Sequence, residues 1–280
     1  MDAFESSQLN AAKTEVLWST TRRRLHQLPQ SLFLVGTDLV ASTAVIRNFG
    51  IFIDADVSMR SNVTRTVSSC FAILCQLRCI RRLVPRTVLQ SLVSSLVLIR
   101  QDYGNATLAG IPGHLVQLQS VINAAARMIF STSRYDHVTP FLRQLHWLKA
   151  QKRIDNKLAV LVYNCQHATG PAYFAYELSH ASDFVNRRKL CSASSLNLIV
   201  RRTRVSTCSD RAFPVAGPCV WNSLPPHVTS ALSVSTLRFR LKTFSSLAPI
   251  LKLFVSLCVK CLCSACGTLD TIVVHYYYYY

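Results

Sequence analysis

From Val67 to Cys165 apolar side chains return at every third or fourth position, and this spacing governs what the chain can fold into. A helix turns once in 3.6 residues, so positions three and four apart share a face. Val67, Phe71, Leu74, Leu77, Ile80 and Leu83 form the first such stripe, with Arg78, Arg81 and Arg82 projecting from the other side. Pro85 ends it, because proline lacks an amide proton and clashes with the preceding turn. Val88 to Ile99 opens a second helix, so nearly apolar that it reads as central. Gly104, Gly110, Pro112 and Gly113 mark a loop before Leu115, Leu118, Ile122, Ala125 and Ile129 stripe a third. Thr139 before Pro140 predicts a helix start, with a capping hydroxyl followed by proline at the first helical position. Ile154, Leu158, Leu161 and Cys165 line one more helix from about Gln151, closed by Gly170 and Pro171.

On either side the pattern changes. Residues 1–60 alternate short apolar runs with turn signals, and Val16 to Trp18, Leu32 to Gly36 and Phe49 to Asp54 predict short strands. Ser182 to Pro226 is rich in Ser, Arg and Pro with little periodicity, which predicts loops and short helices before a final helix near Val234 to Leu247. The last zone holds clustered cysteines and ends in Tyr276 to Tyr280, a low-complexity tail. The expected fold class is therefore mainly α with a small N-terminal β element, in four zones: 1–60, 61–178, 179–246 and 247–280. With 50% of 280 residues hydrophobic and 16% charged, the chain can build a sizeable core, which excludes disorder throughout.

Charge narrows the partners. There are 31 Lys and Arg against 13 Asp and Glu, a formal +18. Cationic side chains displace counterions condensed on phosphates, so nucleic acid is the first expectation and an anionic membrane surface the second. Val57 to Gln101 holds seven Arg and no acid, and Arg187 to Ser246 holds ten basic residues against Asp210 alone. A solvated basic face without a partner is the plain alternative. The start carries Asp2 and Glu5 and lacks the apolar stretch of a signal peptide, so the eleven cysteines are expected in a reducing, intracellular setting, nucleus or cytoplasm. Cys70, Cys75, Cys79 and Cys165 fall in apolar helical patterns and are expected in the core. Ala248 to Ala265 is the candidate membrane segment, but it is shorter than the ~20 residues needed to span. It also contains Lys252 and Lys260, each costing ~2.5–3.5 kcal/mol near a bilayer centre.

Nucleotidyl transfer needs paired carboxylates to hold two metal ions, and the sequence contains no Asp-Asp pair. The nearest substitute, Asp54 and Asp56, falls in a turn. His137 and His146 lack a Cys or carboxylate at ligand spacing and read as packing or capping residues. Cys258, Cys261, Cys263 and Cys266 form two overlapping C-x-x-C pairs, whereas structural zinc sites separate their pairs by about a dozen residues or more. No catalytic residue, metal ligand, cofactor or small-molecule substrate is assigned. Trp147 and Trp221 are expected in the core rather than stacked on bases. The candidate binding residues are Arg78, Arg81, Arg82 and Arg86, with a second patch of Arg201, Arg202 and Arg204 behind Arg187, Arg188 and Lys189.

Long compound motifs add a family likeness. QLNAAKTEVLW at Gln8 to Trp18, VIRNFGIFIDADVSM at Val45 to Met59, the stretch Leu118 to Cys165, and DRAFPVAGPCVWNSLPPHV at Asp210 to Val228 resemble the region downstream of the catalytic centre in reverse transcriptases of LINE-type (non-LTR) retrotransposons. Asn10, Lys13, Thr14 and Glu15 match the segment after the catalytic aspartates, and Asn48, Gly50 and Asp54 match the next palm element. The resemblance implies a partial palm remnant followed by a helical thumb-like bundle, from about Gln8 to Ser246. It implies a family activity of RNA-directed DNA synthesis with magnesium held by aspartates, and the chain is expected to start after that motif and to be inactive alone. Weak, sequence-independent binding of RNA or an RNA–DNA duplex through the named arginines is what remains. Departures accompany the match. The family's Ser-Arg-Leu-Asp-Tyr-Cys-Asn reads here Ile99, Arg100, Gln101, Asp102, Tyr103, Gly104, Asn105; its Trp-Leu-Pro reads Trp147, Leu148, Lys149; its Val-Pro-Arg reads Val200, Arg201, Arg202. Two other readings stand beside it: a product of a decayed element that binds nothing, and a small membrane-associated protein held through 248–265.

Overall fold

The computed structural model describes residues 10, 13–29, 31–35, 38–180, 197–203 and 209–246. It is mainly α with a small N-terminal β element. Two antiparallel hairpins come first, β1 (Phe33–Val35) with β2 (Asp38–Val40) and β3 (Val45–Asn48) with β4 (Ile51–Asp54). The β3–β4 register pairs Asn48 with Ile51, leaving Phe49 and Gly50 as a two-residue turn with φ of 45° and 81°. Two positive φ values in succession make the turn whose twist suits a hairpin, and Gly50 adopts its share without strain. The Tyr103 hydroxyl donates to the Phe49 carbonyl at 2.5 Å, fastening the turn to the helical region.

Strands form within the ranges expected at Leu32 to Gly36 and Phe49 to Asp54, as β1 and β4, but Val16 to Trp18 forms none. Val16 makes only an isolated parallel bridge to Ser42, since the three-residue apolar run finds no longer edge to pair with. The partner strands β2 and β3 carry Asp38, Arg47 and Asn48 and escaped the apolar criterion.

The first helix, α1 (Arg60–Ile80), is anchored before it begins. The Asp54 carboxylate accepts the Ser61 amide at 3.1 Å and the Ser58 hydroxyl at 3.3 Å, which gives one otherwise orphaned donor of the first turn a partner. Asn62 Oδ1 accepts the Phe52 amide at 3.2 Å and ties the helix to β4. The stripe that enters the core is Val63, Cys70, Leu74 and Leu77 with Val67 half-buried. At 3.6 residues per turn these four span only about 60° of the helix. Phe71 and Ile80 lie about 60° beyond the two edges of that arc, each 37% exposed, and Leu83 lies past the helix end and is exposed, so these three depart from the expected stripe. Cys75 and Cys79 also fall on the solvent side and are exposed, correcting their expected core placement; Cys70 and Cys165 are buried. Among the described residues α1 is the one helix long and apolar enough to cross a membrane, and here its apolar stripe faces the core.

A rod follows, made of α2 (Arg86–Val93), a π-helical turn at Ser94–Leu98 and α3 (Ile99–Asp102), which buries Leu89, Val93, Val97 and Leu98. α4 (Pro112–Phe130) starts with proline in its first turn and ends at Ser131 in the left-handed conformation. In α5 (Thr139–Gln144) Thr139 is the first helical residue rather than the cap, Val138 occupies the cap position, and no side chain caps the start. α6 (Ala150–Gln166) starts where Gln119 Oε1 accepts the Ala150 amide at 2.9 Å. α7 (Ala172–Ala175), α8 (Phe213–Asn222), α9 (Pro226–Thr229) and α10, helical at 234–246, complete the described chain.

Two cores result. The first joins the buried faces of α1, the α2–α3 rod, α4 and the start of α6 through Ile154 and Leu158. The second joins Ala159, Val162 and Tyr163 of α6 to Leu198, Trp221, Val228, Leu237 and Leu241. Each fully buried Val, Leu or Ile contributes roughly 1.5–3 kcal/mol relative to exposure. Tyr163 is nearly inaccessible and its hydroxyl donates to the Ala231 carbonyl at 3.1 Å, so a polar group enters the second core with its partner.

Candidate nucleic-acid interface

Arg78 sits in the last turn of α1, exposed, and Arg81 lies one residue beyond the helix, half-buried. Both line a cavity of about 320 Å³ together with Arg127, Thr132 and Arg134 from the end of α4 and the loop after it. No acidic side chain lines it. Arg82 is exposed outside this cavity, and Arg86 opens the next helix with its guanidinium 3.8 Å from the centre of the Phe130 ring, an attraction between cation and aromatic face. The four arginines close in sequence thus take three different surroundings. In the second expected patch, Arg201 pairs with Glu177 at 2.7 Å and Arg202 is exposed. Arg204, Arg187, Arg188 and Lys189 lie outside the described residues.

A second arginine groove was not read from the sequence. Arg47 of β3, Arg65 of α1 and Arg100 of α3 line a cavity of about 700 Å³ with Phe52 and Tyr103, again with no acidic side chain. Arg47 and Phe52 are direct cross-strand partners. The guanidiniums of Arg47 and Arg65 stand 5.7 and 4.1 Å from the Phe52 ring centre, and Arg100 Nη1 donates to Ser69 Oγ at 2.6 Å. Each guanidinium is attracted to the Phe52 ring, so one aromatic side chain helps to place two cations of the groove. On the helical wheel of α1, Thr66, Ser69 and Ile73 fall on one side of the buried stripe and Phe71, Cys75 and Arg78 on the other, so the two cavities flank the helix on opposite sides. The signal available in the sequence was Arg47 opposite Phe52, which needs the hairpin register to be seen.

The segments carrying the motifs meet in space. Arg153 of α6 holds the Asp102 carboxylate with two donors, Nε to Oδ1 at 2.7 Å and Nη2 to Oδ2, while Lys157 Nζ donates to the Asp102 carbonyl at 2.8 Å. Gln101 Nε2 donates to the Leu118 carbonyl at 2.8 Å inside the core. Arg211 reaches from the C-terminal region to the Val57 carbonyl at 2.6 Å.

Asp54 is buried at the head of α1, and Asp56 Oδ1 accepts the Ser58 amide at 3.0 Å. Burial pushes the Asp56 carboxyl up, but the Ser58 hydrogen bonds and the charges of Arg60 and Arg22 outweigh it and hold the group below its ordinary value. Burial pushes the Cys70 thiol up to about 11, against the opposing charge of Arg100, and raises Cys165 and Cys219 as well. His137 and His146 are exposed, Trp221 is buried in the second core, and Trp147 packs against the first. Among the described residues no group of three or more His, Cys, Asp or Glu side chains is placed to hold a metal ion. The cysteines from Cys258 to Cys266 and the segment Ala248 to Ala265 lie outside the described residues. Compared with protein-family models, curated proteins and solved structures, the chain gives no match.

Proposed function

We propose that this chain is the C-terminal part of a LINE-type reverse transcriptase, comprising the end of the palm, a helical thumb and the adjoining region, and that it binds RNA or an RNA–DNA duplex weakly and without sequence preference. The observation that carries the reading is the pair of acid-free arginine grooves on opposite sides of α1. Guanidinium contacts of this kind position a phosphate backbone without reading bases. The motif residues give further support, because Tyr103 on the β3–β4 turn and Arg153 and Lys157 on Asp102 connect three segments of the resemblance directly. DNA synthesis is not part of the proposal, since the sequence has no Asp-Asp pair to hold the family's magnesium ions.

The test is a salt titration of the full chain with a labelled RNA–DNA duplex. Neutralising about four phosphates gives a slope of log affinity against log salt near −3.6, from ~0.9 per contact. A flat response, or no binding at low salt, overturns the proposal and leaves the non-binding product of a decayed element. Reading the genomic sequence upstream of Met1 for an in-frame aromatic, Ala and two Asp adds a second check. Stops there leave phosphate binding as the whole activity, whereas an intact segment makes the chain part of a larger polymerase.

A further inference from the structure

The smaller cavity has features that a backbone track does not need. Arg78 and Arg81 enter from the end of α1, Arg127 from the last turn of α4, and Arg134 from the loop that follows. Two polar atoms in its lining, Arg127 Nε and Thr132 Oγ1, are buried and have no partner in the described structure. Buried donors are nearly always satisfied, and both atoms are closed off from solvent, so an acceptor in the cavity would be met by a small turn of these two lining side chains. Arg127 is held in place meanwhile, its Nη2 donating to the Asp136 carbonyl at 3.2 Å.

Charge points to the kind of acceptor. Each helix C-terminus carries about half a negative unit, so the ends of α1 and α4 offset roughly one of the four positive charges. Asp136, whose main chain holds Arg127, has its carboxylate on the Ser133 amide at 2.8 Å and offsets at most one more. About two positive charges are left unmet. A phosphodiester carries one negative charge, whereas a phosphate monoester carries ≈ 1.5 to 2 at neutral pH with three acceptor oxygens. A cavity of about 320 Å³ also lies at the small end of ligand pockets, suited to a phosphate with its sugar rather than to a continuous backbone.

We propose that this cavity is a binding site for a phosphate monoester, supplied by the terminal phosphate of a nucleic-acid strand. The strand as source rests on the function proposed above; the monoester chemistry does not. The experiment compares two RNA oligonucleotides of one sequence, one with a 5′-phosphate and one with a 5′-hydroxyl, by fluorescence anisotropy with the full chain, and titrates inorganic phosphate alone by calorimetry. We expect the phosphorylated strand to bind about tenfold tighter, and the difference to vanish in the double variant R78A/R134A, whose two side chains are exposed and whose fold is checked by circular dichroism. Thr132→Val serves as a second, nearly isosteric variant and should reduce the preference. If the two strands bind equally but inorganic phosphate gives heat that R78A/R134A removes, the site for a dianionic phosphate group stands, its source is free phosphate, and the strand terminus is overturned as ligand. Equal binding with no phosphate heat overturns the site while leaving backbone binding intact. Phosphate heat without binding of either strand has the reverse meaning: the backbone reading fails and the cavity remains a monoester site.

Discussion

The two cavities beside α1 are built from the same side chain and reach different ends. In the larger one, arginine charge is held against an aromatic ring, with Arg47 and Arg65 over Phe52 and Arg100 braced on Ser69. Its cations are placed by a ring and a hydroxyl rather than by a carboxylate, which leaves their charge unneutralised and suits a backbone that passes through. In the smaller one, Arg127 is fixed to a main-chain carbonyl and keeps a buried donor without a partner. That arrangement suits a group that stays. Counting arginines does not separate the two; asking what holds each guanidinium does.

The largest expected effect comes from removing charge on the larger side. R65A/R100A should weaken binding of both RNA strands alike and reduce the salt slope by about 1.8, from ~0.9 per lost contact. Should it abolish only the 5′-phosphate preference, the assignment of the two cavities is reversed. Gly104 comes next. It has φ +66°, and a Cβ there would lie 2.6 Å from Ile51 Cδ1, so Gly104→Ala forces both backbone strain and a shift of the β4 side chain. The left-handed conformation alone costs an alanine about 1–2 kcal/mol, and since the clash falls on the tip of the Ile51 side chain, the loss in urea unfolding should be of that order. Among variants that still fold, backbone affinity should suffer before monoester preference, because Tyr103 beside Gly104 lines the larger groove.

Cys70 offers a pH test of similar size. Its folded pKa is raised, so the neutral thiol stabilises the fold below the ordinary value near 9, and that contribution is lost as pH rises toward about 11. Thermal melting followed across that window should fall for the wild type, and Cys70→Val should flatten this component. Phe52→Leu should cost roughly 0.5–1 kcal/mol of backbone binding by releasing two cation–π contacts, with the monoester preference unchanged. Phe49→Asn is the smallest. Asparagine tolerates φ of 45° better than phenylalanine in this turn, so stability should rise by roughly 0.5–1 kcal/mol, with both binding readouts constant.

The helices were legible because burial imprints a period on them. Leu118, Ile122, Ala125 and Ile129 of α4 and Ile154, Leu158 and Cys165 of α6 are buried where the spacing put them. In α1 the stripe was read too wide, since Phe71 and Ile80 are apolar enough to count but flank the buried arc on opposite sides. Cys75 and Cys79 show the same weakness: a small, weakly polar side chain does not announce which face it occupies. The candidate binding arginines were legible only in part, and for a different reason. Arg78 to Arg86 are close in sequence, but the helix stops at Ile80 and restarts at Arg86, so adjacency along the chain does not become one surface. Arg127 and Arg134 join Arg78 through the packing of α1 on α4, and Arg47 joins Arg65 and Arg100 through hairpin register; neither relation has a local signature.

α6 gives its two apolar sides to two different cores, Ile154 and Leu158 to one and Ala159, Val162 and Tyr163 to the other. A local opening on either side still leaves this rod packed on the other. Its amide protons should therefore be among the last in the chain to exchange with deuterium, surrendering only when the whole molecule opens. A protease that trims the C-terminal helices would strip one flank of α6 bare, and the remaining piece would become sticky rather than independent.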